Sequence, residues 1–543
     1  MSSTSTPAEN STSMGNIAGE NDNGHIWTAD RPTTTNGLDG HRGHSYINTR
    51  NRTSSSRPHS HSLPSSRLQS PSRYQGFNNS VARHRGMSVS TRLAVLQLQF
   101  LVVGGGISGL ACAYALAASG HKVRVVEKAP SLGQKAGGIR LPPNLTKILI
   151  EWGLEKELYD KTEPCRGSSF RDLETGERVG WLEWKEDVIK ETGGEFLLIH
   201  HNDLHQMLYD LAISVGVRVS FDTAITSIGV DGKSARSSPL AKLSTGETVR
   251  PDVIIGADGR TSVVRGIISQ AAGSYEEEGV DLGMSVWTLT IPTEMLKNDP
   301  ELLGLTQSPE RGNKEYNLHI FWPDREVDLD EPEEESWDDL CSTSSLRLDG
   351  CDPMLQRLLR LTPQGLRTKI VRKGSVDEWV DDSQRIVLVG ESAHPLLPCS
   401  NHGCSMAVED AAVIGALFSR LRSWDQIPAL LEAFQDIRQG RCEAVNFQEF
   451  SNMQLVQLPP GPQRQHRDQA MRENLNHGRE HWDEGRLRQQ WEEISEIFGY
   501  NAREAAEDWW VQWGLLRERA KMGPMVLHDS LDLNVSVHVA AEA

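Results

Sequence analysis

The stretch Leu101-Val-Val-Gly-Gly-Gly-Ile-Ser-Gly109 decides the fold. An apolar, β-branched run leads into it and an Ala-rich run leads out, with Gly104, Gly106 and Gly109 spaced as GxGxxG. Strand, glycine turn and helix in that order open a doubly wound parallel sheet. The first glycine permits the tight turn, the second a close approach of backbone to a ligand, and the third close helix–strand packing. The helix N-terminus at such a turn offers unpaired N–H groups and partial positive charge, which suits a pyrophosphate. A second strand ends at Glu127, 18 residues beyond Gly109. A carboxylate there accepts from ribose hydroxyls and disfavours a 2′-phosphate. The spacing predicts a dinucleotide with a free ribose, a description that fits both NAD and FAD.

Outward from this turn, Asp252–Ile255 and Arg385–Val389 read as further short strands buried on both faces of a parallel sheet. The 543 residues have room for two or three domains, and 37 % hydrophobic residues can bury a core. Residues 1–92 read differently. From His41 to Arg92 there are nine Arg and no Asp, Glu or Lys among many Ser, His, Asn and Pro, the composition of a disordered tail. A targeting presequence is the sharper reading of this basic stretch, but acids at Glu9, Glu20, Asp22, Asp30 and Asp39 precede it. Translation from Met87, just before the first strand, is a third. The net charge of −18, against +5 in the tail, leaves about −23 on the body. That argues against nucleic acid as a partner. The longest apolar stretch, Leu93–Val103, is far shorter than the ~20 residues of a membrane span. Seven cysteines without a CxxC pair fit a reduced, cytoplasmic protein. Asp328–Asp339 reads as a solvated acidic loop, and the Trp-rich C-terminal part as packed helices.

Two later motifs separate the candidate nucleotides. One is Asp252-Val-Ile-Ile-Gly-Ala-Asp-Gly-Arg-Thr-Ser262. The other is Arg385-Ile-Val-Leu-Val-Gly-Glu-Ser-Ala-His-Pro395, continuing through Pro398 into a helix from Gly403 past Glu409 and Asp410. With Ala136-Gly-Gly-Ile-Arg-Leu-Pro-Pro-Asn144, His200-His-Asn-Asp-Leu204 and Phe498-Gly-Tyr-Asn501, the order resembles the FAD-dependent aromatic hydroxylases. These are single-component flavoprotein monooxygenases, and the salicylate-hydroxylase-like branch of fungal natural-product pathways looks nearest. The resemblance covers about residues 98–515. It implies an α/β fold: a Rossmann-like FAD-binding domain in two parts, 97–274 and 376–440, with a mostly antiparallel substrate-covering sheet between them at 275–375 and C-terminal helices from 441 to 543. It also implies that Gly104, Gly106 and Gly109 hold the FAD pyrophosphate and Glu127 the adenosine ribose. Gly137 and Gly138 pass close to the flavin, Asp258 lies near the pyrophosphate, and Glu391 binds the ribityl chain. His201 touches cofactor, and Gly403 and Cys404 start the helix that faces the flavin's pyrimidine edge.

Relatives in that family usually carry Asp at Glu391, Arg at His201, Gly-Gln-Gly at Asn401-His402-Gly403, and often Arg at Thr288. The resemblance implies NADH or NADPH as hydride donor, O2 as co-substrate, and a flavin C4a-hydroperoxide that hydroxylates or epoxidises an electron-rich small molecule, aromatic or of polyketide or terpenoid type. A phenolic substrate would need a base. His394 and His402 flank the inferred flavin loop and are the candidates, although hydrogen-bonded loop histidines are the plainer reading. Cys399 and Cys404 bracket the same loop and read as packing residues. An NAD-dependent dehydrogenase would leave Asp258-Gly259 and Gly390–Asp410 without a role. A non-catalytic flavin-binding paralogue is the other alternative.

Overall fold

The computed structural model describes residues 92–133, 137–230, 238–271, 279–306, 315–324, 340–374, 376–398, 400–477 and 484–517. These belong to one compact unit, His84–Ala543. The tail at 1–91, the acidic run Asp328–Asp339, Ala136, Cys399 and Trp482 lie outside the described residues.

Gln99–Val103 is the middle strand of five, all parallel, in the order Ile386–Leu388, Val253–Gly256, Gln99–Val103, Lys122–Val126, Arg218–Ser220. Phe100–Val103, Val253–Ile255 and Ile386–Leu388 are all buried, as continuous apolar runs require when both sheet faces are covered. Strands separated by well over a hundred residues therefore pair side by side: Phe100 with Val253, and Ile254 with Ile386. Helices Ile107–Ala118 and Gly403–Phe418 run side by side in the same direction. A Cβ built on Gly390 meets both Ser108 and Ala407, while one on Gly415 lies 2.8 Å from the Ala115 Cβ. Both N-termini thus face the carboxyl edge of the sheet.

Between Val253–Gly256 and Ile386–Leu388 in sequence lies an antiparallel sheet ordered Glu315–Pro323, Val280–Pro292, Gln364–Arg372, Leu340–Ser342. Strand alternation divides its faces. Trp287, Leu289, Ile320 and Trp322 bury one face against Leu355 and Leu359 of helix Pro353–Leu361. Val286 and Thr288, paired with Phe321 and His319, form the other face.

The boundary expected at 440 falls inside one 30-residue helix, Ile427–Val456. Phe498-Gly-Tyr-Asn501 is a clasp. Lys147 donates to the carbonyls of Phe498 and Gly499, and the Arg441 guanidinium stacks 3.8 Å from the Tyr500 ring centroid. The Asn501 side chain caps helix Ala502–Trp509 by accepting from the N–H groups of Arg503 and Glu504. Trp491, Trp509 and Trp510 pack into apolar clusters, as expected, whereas Trp513 is exposed.

Candidate active site

Three loops meet at the carboxyl edge of the parallel sheet. Gly104 has φ +104°, and a Cβ there would strike the Ala257 carbonyl. A Cβ on Gly109 would strike the Gly104 carbonyl. A Cβ on Gly106 would meet nothing within 4 Å, so the second glycine borders open space. The Glu127 carboxylate accepts from the N–H groups of Gly105 at 2.6 Å and Ala129 at 2.8 Å. His205 Nε2 donates to the Gly105 carbonyl at 2.7 Å and steadies the same turn; no spacing rule pointed to it. Gly390, with φ +60°, sits against Ser108 in the first helical turn, so Glu391 comes to the same edge. Both oxygens of Asp258 are engaged. Oδ1 accepts from the hydroxyls of Ser262 and Ser392, and Oδ2 from the N–H groups of Val263 and Val264. The carboxylate therefore tethers helix Val263–Ala271 to the Gly390 loop.

The antiparallel sheet meets this edge through Gly137 and Gly138. A Cβ on Gly137 would lie 2.7 Å from the Thr288 methyl, and the Gly138 N–H donates to Asn317 at 2.9 Å. The Gly137 carbonyl accepts from the His201 N–H at 3.1 Å, and the His200 side chain accepts from the Asn202 N–H. Thr288 Oγ1 lies 3.2 Å from His319 Nδ1, and burial lowers the His319 pKa to about 4. Val286, Phe321, Leu397, Phe450 and Met453 form an apolar cluster beside this junction.

The segment that ends at Gly403 carries both candidate bases, and they differ. His394 is buried; its Nε2 lies 2.6 Å from Asp410 Oδ2, which also accepts from the Gly390 N–H. Burial alone would lower its pKa, but the neighbouring Cys442 sulfur and Asp410 carboxylate outweigh burial and raise it. Asp410 and Glu409 belong to a buried ion cluster. Arg438 donates to Asp410 at 2.7 Å and to Glu409 at 2.6 Å, Arg441 donates to both Glu409 oxygens at 2.8 Å, and Asn144 donates to Glu409 at 2.7 Å. Burial would raise both carboxyls; the surrounding cations hold them lowered. His402 precedes helix Gly403–Phe418 and is also buried, with its pKa lowered to about 4 by desolvation. Gly403 and Cys404 are half-buried in the first turn of that helix. Beside His402 lies a residue the sequence did not single out. Glu449 on the long helix accepts from the Asn401 N–H at 3.1 Å and lies 3.6 Å from His402 Nε2. The Asn401 side chain accepts from Arg140.

A family profile described as "FAD binding domain" matches residues 97–448. The chain belongs to the FAD-dependent monooxygenase family, and its cofactor is FAD. Among its relatives, FAD-dependent monooxygenase OpS4 of Beauveria bassiana (strain ARSEF 2860) is 28 % identical over 391 residues, covering 69 % of this chain and 89 % of its own. A 3-hydroxybenzoate 6-hydroxylase of Klebsiella oxytoca is 28 % identical over 327 residues, covering 59 % and 79 %. Among solved structures, a salicylate hydroxylase substrate complex superimposes with TM-score 0.58 at 21 % identity, covering 76 % of this chain and 97 % of that one. CtdE in complex with FAD gives TM-score 0.58 at 16 % identity, covering 78 % and 100 %. At these identities the structures speak for the fold. No helix among the described residues is long and apolar enough to cross a membrane.

The residues present fit a dinucleotide. Space is open beside Gly106, the buried Ser108 hydroxyl at the first turn has no hydrogen-bond partner, and each Glu127 oxygen bonded to one N–H retains a lone pair for a ribose hydroxyl.

Proposed function

We propose that this chain uses a reduced nicotinamide and O2 to insert one oxygen atom into an electron-rich, aromatic small molecule. The observation that carries the reading is convergence. The Gly104 turn, the Ala257–Asp258 corner and the Gly390–Glu391 turn share one sheet edge, and a separate antiparallel sheet closes over the adjoining Gly137–Gly138 loop. A nicotinamide dehydrogenase needs only the first of these loops.

When bound, FAD supplies the redox chemistry: it accepts a hydride equivalent and activates O2. The chain's own residues do the rest. We assign Gly104, Gly106, Gly109 and the N-terminus of Ile107–Ala118 to the pyrophosphate, Glu127 to the adenosine ribose, and Glu391 to the ribityl chain. Asp258 holds the Gly390 loop in place through Ser392 rather than meeting the phosphates directly. Gly137, Gly138 and His201 lie toward the ring, as do Gly403 and Cys404 at the second helix N-terminus. The sheet face bearing Val286, Thr288, His319 and Phe321 covers the substrate and keeps out water. Neither His394 nor His402 is assigned as the base. His394 is held protonated in a pair with Asp410, and a base must start neutral. The pKa of His402 lies well below neutrality, so it accepts a proton poorly at pH 7.

The test is direct. The purified protein should absorb as a flavoprotein, consume NADH or NADPH faster with an aromatic substrate, and give a product carrying one atom from labelled O2. Nicotinamide oxidation without bound flavin would favour the dehydrogenase. Bound flavin with no turnover across a broad aromatic panel would favour the non-catalytic paralogue.

A further inference from the structure

Glu449, beside His402, is a buried acid for which the proposed roles give no use. Its side chain is 9 % exposed. The groups that face it come from three elements. Ser400, the Asn401 N–H and His402 come from the loop before Gly403–Phe418; Arg140 comes from strand Gly138–Leu141; and Phe450 and Met453 flank it on its own helix. Arg140 donates to the Asn401 side chain and acts on the carboxylate from beyond it, and among the described residues no Lys or Arg is paired directly with Glu449. His402 is in turn influenced by Glu409 and Arg441 behind it, and Arg140 also acts on His319 across the junction.

The position matters because of the helix end. Gly403–Phe418 directs its N-terminal partial charge into the crevice, parallel to Ile107–Ala118. Glu449 takes one backbone N–H just ahead of that terminus. A second negative charge developing there would compete for the same field, and the cheapest relief is a proton on the carboxylate.

We propose that Glu449 is a charge-compensating residue of the crevice: it takes up one proton when a flavin ring at the N-terminus of Gly403–Phe418 is reduced, and releases it on reoxidation. The proposal rests on reading the crevice as a flavin site. The balance is simple. A hydride from a reduced nicotinamide carries two electrons and one proton and leaves one net negative charge on the ring. The Glu449 carboxylate then gains one solvent proton in a new O–H bond, and loses it when O2 takes the electrons. Its resting state suits the task, since burial raises its pKa to about 7 while the Asn401 N–H, Arg140 and Ser400 pull the other way. A half-protonated acid can follow a nearby charge in either direction.

The test is the midpoint potential of the FAD-loaded protein, read against a reference dye from about pH 5.5 to 9. In a two-electron couple a tenfold change in equilibrium is about 30 mV, so one proton gives about 30 mV per pH unit and two give about 59. The wild type should follow the one-proton line below pH 7 and steepen to the two-proton line above it. Glu449→Gln should stay on the one-proton line throughout. Arg140→Met, which removes a charge that lowers the acid's pKa, should move the break to higher pH. A wild-type line without a break, or a Glu449→Gln break at the same pH, overturns the proposal. Should Glu449→Gln fail to fold, an unmoved break in Arg140→Met overturns it equally. A chain that takes up no FAD overturns the underlying reading, and the proposal with it. That outcome is recognised separately, because infrared difference spectra of the unloaded protein would still report whether the Glu449 carboxyl titrates.

Discussion

Buried carboxylates lie in the body of helix Gly403–Phe418 and, on the neighbouring helix Ile427–Val456, beside its N-terminus, and the two places treat charge in opposite ways. In the body, Glu409 and Asp410 are fully paired with Arg438, Arg441, Asn144 and His394, and both stay ionised. At the N-terminus, Glu449 has one backbone N–H, a neutral histidine and an arginine one residue removed, and it keeps its proton up to about pH 7. The more deeply buried pair is thus the ionised one, and what decides is whether a guanidinium touches the carboxylate. The paired region is built to be rigid; the underpaired one is built to respond.

The sharpest way to break this contrast is to unpair the first region. Arg438→Met removes the guanidinium shared by two buried carboxylates, leaving Glu409 with Arg441 and Asn144 and Asp410 with His394, and should cost about 3 kcal/mol in urea unfolding at neutral pH. Because Glu409 and Asp410 titrate below their ordinary values, their contribution is full above about pH 4.5 and is lost as pH falls, so the deficit should shrink in acid. Wild-type stability in this variant would remove the basis of the comparison. The opposite sign is expected at Glu449. Its folded pKa lies above the unfolded one, so its contribution is full below about pH 4.5 and is lost as pH rises through 7. Glu449→Gln should therefore be more stable than wild type at pH 8, by up to about 3 kcal/mol, and should lose the pH slope between 4.5 and 7. A smaller effect sharpens the edge of the paired region. Tyr500→Leu removes the ring beneath Arg441 and should cost about 1 kcal/mol in thermal unfolding while leaving the Glu449 slope intact. At the bottom of the scale, Lys190→Ala removes an exposed ion pair with Glu186 and should change the unfolding midpoint by nothing measurable.

The parallel sheet was legible in the sequence because its strands are buried on both faces and so read as unbroken apolar runs. The Gly104 turn was legible because three backbone approaches each exclude a side chain or border open space. The boundary drawn at 440 falls within a helix that runs through Gly440, because Arg438, Cys442 and Val445 are buried around it and tertiary packing overrides a Gly cost of about 1 kcal/mol. Asp258 stood out in the sequence as a candidate, but its role as a tether was not legible, since its partner Ser392 lies 134 positions away. Glu449 carried no signal at all. Its raised pKa comes from burial against the Asn401 loop, 48 residues earlier, with Arg140 of another element pulling the other way, and no local pattern encodes such a meeting.

The sheet order has a consequence for how the protein is made. Its central strand pairs residues near 100 with residues near 253, and those with residues near 386. A nascent chain emerging from the ribosome cannot complete that edge until the helix ending at Phe418 has cleared the exit tunnel. The face of the Ile107 helix that packs on Gly403–Phe418 therefore stays uncovered through most of synthesis, and the edge their N-termini share is among the last parts to form.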